Sequence, residues 1–248
     1  MAVNKATLRA ASMLELIANS GELTLSEISD ALGIPVASTS DILKALMQTH
    51  MLEVANERAK TYRIGVKIFM IGNMYLSGMD VVEVAKPLME RLSAATDNTV
   101  FLAKQVDNEI IYLHRVQPDG VLVATCQVGS KAGLSVTALG KAILAYNDEL
   151  QKQVFAKPLP EVTEFSITDH AELKAQLNEI KTRRYSLDRF ENDARVACIG
   201  FPVFDHTGKV EHSISISGTY FESRNINMEI KLGQACATEI SAKLGYSG

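Results

Sequence analysis

Three serines at every second position, Ser213, Ser215 and Ser217, alternate with Ile214 and Ile216 toward the C-terminal end of the sequence. A strand with this pattern carries hydroxyls on one face and aliphatic side chains on the other. Its neighbour, residues 196–203, is apolar on both faces, as a covered central strand would be. Hydroxyls on a covered strand need partners, and a polar ligand supplies them. Asp188 and Cys198 fall on or near adjoining strands. As a ligand contact, Asp188 accepts a hydrogen bond from a hydroxyl or hydrated carbonyl and repels a carboxylate; Cys198 is more often a small core residue than a reactive thiol. The run Ser135-Val136-Thr137-Ala138-Leu139-Gly140 opens a helix with small residues, and amides at a helix start attract anions. These three features define a candidate site for a small polar or anionic molecule. Taken singly, each has an ordinary reading: a solvent-facing strand, a surface or capping carboxyl, a helix end like any other.

A second set of candidates lies near the N-terminus. Thr24 with Glu27 three residues on forms a capping box that starts a helix, and Leu25, Ile28 and Leu32 share its inner face. Gly33 stops that helix, and Pro35 suits the first turn of the next. Thr39, Ile42, Leu43 and Leu46 make the buried stripe of the second helix, and its opposite face offers Val36, Ala37, Ser38, Ser40, Asp41 and Lys44. This is the layout of a helix-turn-helix, whose second helix can read base edges in the DNA major groove. An ordinary helical hairpin in a core has the same spacing. Two strand-like runs, 52–54 and 60–64, then turn around Asn56-Glu57-Arg58-Ala59, which adds a wing. Arg58, Lys60 and Arg63 lie on or near that wing, where they can meet phosphates.

The elements that must position these residues follow from periodicity. A helix over 5–20 precedes the helix-turn-helix, so residues 1–65 form a winged helix-turn-helix domain. Residues 66–79 include the very apolar VKIFMIGNMYL and form a linker helix. A solvated helix of that composition needs a partner surface, and pairing with a second copy is the preferred reading. Residues 80–248 form the third part. A helix capped by Asp80 runs to 96, and strands cover 98–106, 109–116 and 121–128. Helices follow over 137–147, 148–155 and 168–184, then a hairpin of 195–204 with 209–218, then a helix over 227–244. The class is α+β, with an antiparallel sheet flanked by helices.

Composition narrows the function. A chain of 248 residues, 47% of them hydrophobic, makes two domains. No apolar run reaches the ~18 residues of a membrane span, and the N-terminal MAVNKATLRA has no signal-peptide core, so the cytoplasm is expected. Cys126, Cys198 and Cys236 are odd in number and widely spaced, which suggests reduced thiols. No Cys/His group has metal-ligand spacing, so neither cofactor nor metal is expected. The net charge of −4 does not advertise nucleic acid, and the first 75 residues balance seven bases against seven acids. DNA binding must then rest on local placement of charge and on more than one copy of the domain.

The segments LTLSEISDALGIP, VTALGKAILA, ITDHAELKAQLNEIKTRRYSLD and FPVFDHTGKVEHSISISG together resemble the IclR family of bacterial transcriptional regulators, over nearly the whole chain. The resemblance implies a winged helix, a linker helix and a GAF-like effector domain. It implies a dimer or dimer of dimers that binds double-stranded operator DNA and a small organic or sugar acid, usually as a repressor of a catabolic operon. Carried over by position, the effector residues are Ala138, Leu139, Asp188, Cys198, Ser215 and Ser217. Two departures stand out. Many members read Lys-Ser-Thr-Val-x-Arg after the proline of the recognition helix, where this chain reads Val36-Ala37-Ser38-Thr39-Ser40-Asp41. An aspartate accepts from cytosine N4 and is repelled by phosphate. The glycine usual three before the pocket cysteine is Arg195 here, which either alters the pocket mouth or adds charge near an anion. Two other readings compete: a non-DNA-binding sensor or enzyme using Cys198 with His212 as base, and a metal-regulated form using His114, Cys126 or His212. No triad signature or ligand spacing supports them.

Overall fold

The computed structural model describes residues 4–77, 80–118, 126–219 and 225–247. The chain divides into two compact units, Met1–Gly78 and Met79–Gly248. Among the described residues no helix is long and apolar enough to cross a membrane.

The first unit runs α1 (Lys5–Ser20), β1 (Leu23–Thr24), α2 (Leu25–Leu32), α3 (Val36–Gln48), β2 (Leu52–Asn56), β3 (Thr61–Ile64) and α4 (Val66–Ser77). Thr24 and Glu27 form the capping box in full: the Thr24 amide and hydroxyl donate to Glu27 Oε2 at 2.7 and 2.8 Å, and the Glu27 amide donates back at 3.4 Å. Gly33 closes α2 in the left-handed conformation, φ +61°, where a Cβ would be strained. Pro35 sits one place earlier than expected, at the N-cap of α3, and contributes no side-chain bond. The hydroxyls of Ser29 and Thr39 both donate to the Ile34 carbonyl, fixing the turn between α2 and α3. Met13, Ile17, Ile28, Leu43, Leu46 and Leu52 form the core beneath. The antiparallel β2–β3 wing is flanked by the two-residue β1.

The second unit runs α5 (Asp80–Thr96), β4 (Thr99–Val106), β5 (Glu109–Val116), β6 (Lys131–Gly133), α6 (Ala138–Leu144), α7 (Asp148–Phe155), α8 (His170–Arg183), β7 (Ser186–Arg189), β8 (Ala197–Phe204), β9 (Val210–Gly218) and α9 (Ile226–Lys243). Asp80 is the first helical residue of α5, where the sequence suggested a cap. Six antiparallel strands lie in the order β6-β5-β4-β9-β8-β7. The serine strand β9 is therefore central, between β4 and β8, while β8 is one in from the edge. Of the strand expected over 121–128, residues 121–125 lie outside the described residues and 126–128 carry no strand; β6 pairs with Glu109–Ile111 of β5.

Alternation along the strands splits the core into two layers. Val100, Leu102, Ile214 and Ile216 pack with Leu88, Met89 and Leu92 of α5 and Ile240 of α9. Phe101, Ala103 and Tyr112 pack on the other side with Leu139 and Ile143 of α6 and Leu173 and Leu177 of α8. The serines of β9 alternate with Ile214 and Ile216, so their hydroxyls belong to the α6 side.

Candidate functional site

Close packing of α6 on the sheet builds a pocket. A Cβ at Gly140 would overlap the Leu134 backbone, and one at Gly200 would overlap the Ala138 carbonyl and the Ser186 hydroxyl. With glycine at both places, the first turn of α6 presses against β7, β8 and β9. Ser186 Oγ donates to the Ala138 carbonyl at 2.5 Å and Ser213 Oγ to the Leu139 carbonyl at 3.0 Å. Thr137 caps the helix, accepting from the Gly140 amide at 3.0 Å. Strand register then lines up the polar groups: Asp188 is opposite Cys198 and Cys198 opposite Ser217, while Gly200 is opposite Ser215 and Ser215 opposite Phe101.

The result is a small, partly open pocket lined by Ala138, Leu139, Asp188, Cys198, Ser215 and Ser217 together with Phe101, Tyr112 and Cys126. All six residues named from sequence thus surround one space, although they come from four separate elements. Thr137, Asn192, Asp193 and Val196 complete the wall. Ser213 is spent on α6 and takes no part. Ser215 and Ser217 stand 3.4 Å apart, hydroxyl to hydroxyl.

The electrostatics come from a cluster that periodicity did not flag. Lys141, wholly buried on α6, donates to both oxygens of Glu191 at 2.6 and 2.7 Å and to Gln176 Oε1 of α8 at 3.2 Å. Burial lowers the lysine's pKa, and the Glu191 charge opposes that fall. The Glu191 amide in turn donates to Asp188 Oδ1 at 2.8 Å. Asp188 is 3% exposed. Burial first and the Glu191 charge second push its carboxyl up to about 7, against the pull of the Glu191 amide and Lys141. The turn is held from outside as well. Thr163 Oγ1 donates to the Phe190 carbonyl at 2.7 Å and Ser166 Oγ to the Glu191 carbonyl at 2.8 Å, around a left-handed Phe190 with φ +69°. Such a conformation at a bulky residue is costly and persists only where its surroundings fix it. The run TALGKAILA marks Lys141 alone, a single lysine among apolar residues at the start of a buried helix, and does not point to its partner.

Arg195 neither lines the pocket nor leaves a free charge at its mouth. It points outward and closes on Asp193 with Nε and Nη2 at 3.1 and 2.9 Å. The proposed Cys198–His212 couple is not assembled. Cys198 is opposite Ser217 and Val203 opposite His212, so five residues of strand, roughly 16 Å, separate the two. Among the described residues no group of three or more His, Cys, Asp or Glu side chains is placed to hold a metal.

In the first unit, Val36, Ala37, Asp41 and Lys44 are exposed along α3, and Ser38 and Ser40 are half-buried. Arg58 and Lys60 stand exposed at the wing tip, where Asn56 Oδ1 accepts the amides of Arg58 and Ala59. Two candidates are already engaged. Thr24 is committed to its capping box, and Arg63 Nε pairs with Glu53 at 2.8 Å.

A recognition helix with an adjoining wing, on a chain whose second unit encloses a small pocket, is the build of a DNA-binding transcriptional regulator. Residues 6–55 match the model of the IclR helix-turn-helix domain, and residues 73–242 match that of the bacterial transcriptional regulator IclR C-terminal domain. The chain belongs to the IclR family of bacterial transcriptional regulators. It is 26% identical over 247 residues to the DNA-binding transcriptional repressor YiaJ of Escherichia coli, covering 96% of this chain and 87% of that one. The crystal structure of the Thermotoga maritima IclR superposes with a TM-score of 0.76 at 29% identity, covering 98% of this chain and all of that one. An IclR homolog from Microbacterium hydrocarbonoxydans, crystallised with 4-hydroxybenzoate, shares the fold at a TM-score of 0.83 and 20% identity, over 96% and 98% of the two chains.

Proposed function

We propose that this regulator is a repressor that holds double-stranded operator DNA when empty and releases it when a small organic acid fills the pocket of the second unit. The observation that carries this reading is the convergence of Ala138, Leu139, Asp188, Cys198, Ser215 and Ser217 on one largely apolar space with hydroxyl and carboxyl groups at fixed places. The repressor named among its relatives and the homolog complexed with 4-hydroxybenzoate support the direction and the ligand class. Val36, Ala37, Ser38, Ser40, Asp41 and Lys44 face the bases, Asp41 accepting from a cytosine amine. Arg58 and Lys60 take phosphates, while Thr24 and Arg63 shape the flanks through their existing bonds. The catabolic operon it serves is the one whose substrate resembles the effector.

A second copy of the chain is part of this reading. Val66, Phe69, Met70 and Met74 of α4 are each at least half exposed, and pairing two such helices buries them while setting two recognition helices on half-sites about 34 Å apart or a multiple of it. Effector binding needs to differ between the two spacings by only roughly 1–3 kcal/mol to change operator affinity ~5–150-fold. The test joins two measurements on the full chain: thermal melting against a panel of small hydroxy, keto, sugar and aromatic acids, and binding to DNA from upstream of its own gene. An acid that raises the melting temperature is expected to weaken DNA binding over the same concentration range. An acid that saturates the pocket and leaves DNA affinity unchanged refutes the coupling.

A further inference from the structure

The pocket wall contains two carboxyl side chains, Asp188 and Asp193, and among the described residues no lysine, arginine or histidine. The cations nearby are committed elsewhere. Lys141 grips both oxygens of Glu191, and Arg195 grips both oxygens of Asp193. Those two pairs cancel, so among the described residues Asp188 is the carboxyl of this cluster with no cation at ion-pair distance. The Lys141 charge reaches Asp188 from beyond ion-pair distance and is already paired with Glu191. Tyr112 faces it from β5 and Cys198 from β8, and Glu191 adds a like charge from its own turn. On α6, Lys141 lies behind Glu191, and Arg183 of α8 acts on Lys141. The amides of Glu191 and Asn192 and the Lys141 charge favour the ionised form of Asp188, and burial together with the Glu191 charge outweighs them.

A carboxylate ligand entering this space meets the hydroxyls of Ser215 and Ser217 and an unmatched Asp188. Two like charges side by side in one largely apolar pocket cannot both remain ionised at low cost, and a single shared proton turns their repulsion into a hydrogen bond. We infer that the pocket takes a small carboxylate together with one proton carried on Asp188, whose hydroxyl donates to the ligand. The inference rests on the organic-acid reading above and adds a rule for specificity and pH. Below neutral pH the proton is already in place. Above it, each ligand draws one proton from solvent, and affinity falls tenfold per pH unit.

Asp188→Asn tests this, because the amide keeps the Oδ1 acceptor for Glu191 and mimics the protonated donor. Without ligand, the folded state holds the Asp188 proton from about pH 4 to about 7 while the unfolded chain has released it, so wild-type stability falls as pH rises through that window. The variant should melt with the wild type near pH 4 and several degrees above it at pH 8. With the sodium salts of glyoxylate, pyruvate and 4-hydroxybenzoate as probes, wild-type affinity should fall with pH above neutrality while that of Asp188→Asn stays level. A melting difference that does not change with pH means Asp188 is ionised throughout, and overturns the inference. So does a probe that binds the wild type with no pH dependence. A pH-dependent melting difference with no binding of any probe from pH 5 to 8 overturns the organic-acid reading itself, and the inference with it.

Discussion

The two units hold their functional groups in opposite ways. In the first, the candidate DNA contacts are exposed or half-buried and lie close together in sequence, from Val36 to Lys44 and from Arg58 to Arg63. The bonds that shape them are local: Thr24 with Glu27, Asn56 with Arg58, Ser29 with Ile34. In the second, the polar groups are buried and are joined across long stretches of chain, Lys141 to Glu191 and Ser186 to Ala138. A surface that meets DNA is solvated until used, so its side chains cost the fold little. A pocket removes its polar groups from water permanently, so each must be matched inside the fold. Substitutions of the exposed groups should therefore act on binding alone in the first unit, and those of the pocket groups on folding and binding together in the second.

The sharpest way to break that contrast is Lys141→Met. It leaves Glu191 buried without its cation, and breaking such a pair costs about 3–5 kcal/mol. Denaturant unfolding should show the loss in the transition of the second unit, with that of the first in place. Replacing both partners, Lys141→Met with Glu191→Met, should recover most of it. If the single substitution is mild, the pair is solvated and the contrast fails.

Gly200→Ala comes next. The added methyl meets the Ala138 carbonyl and Ser186, so α6 must lift from the sheet at a cost of about 1–3 kcal/mol. Because Ala138 and Leu139 line the pocket, ligand binding should weaken as well, whereas a surface alanine elsewhere on α6's unit would leave both unchanged. Thr24→Ala should cost about 1 kcal/mol, confined to the first unit, through loss of the capping box. The Glu27 carboxyl is held below its usual range first by the Thr24 amide and then by the Thr24 hydroxyl. Part of that stability should fade as pH drops through the Glu27 titration, and more weakly so in Thr24→Ala.

How much could be read from sequence follows the same divide. Capping box, left-handed Gly33, buried stripe and wing turn are local rules, and each places a residue within four or five of its partner. The class of the second unit was also legible, because the period changes from helical to alternating at residue 99 and the β8–β9 hairpin is marked by its turn. The pocket residues were found only because three sequence features and a family resemblance named the same places. The Lys141–Glu191 pair was not found. Nothing within a few residues of either reveals a partner 50 positions away, and Glu191 sits in a run, ENDAR, that reads as a solvated turn. The same limit hid the pairing of Arg195 with Asp193, since charge in sequence carries no direction. The edge strand β6 was missed because three residues, Lys131–Gly133, are too few to show alternation.

The smallest effect on folding is expected at the wing. Lys60 is exposed and lies in the turn with φ +52°, so Lys60→Gly removes the charge and also relieves a left-handed backbone that favours glycine. Its stability should change by less than about 0.5 kcal/mol. If Lys60 meets a phosphate, DNA affinity should fall about equally for matched and unmatched sequences, and the slope of log affinity against log salt should shrink by about 0.9. The same measurement on Arg63→Ala, whose guanidinium is held by Glu53, should show a smaller change in slope. Equal losses at the two positions would mean that the Arg63–Glu53 pair opens on DNA, and that even in the first unit an existing bond is exchanged on binding.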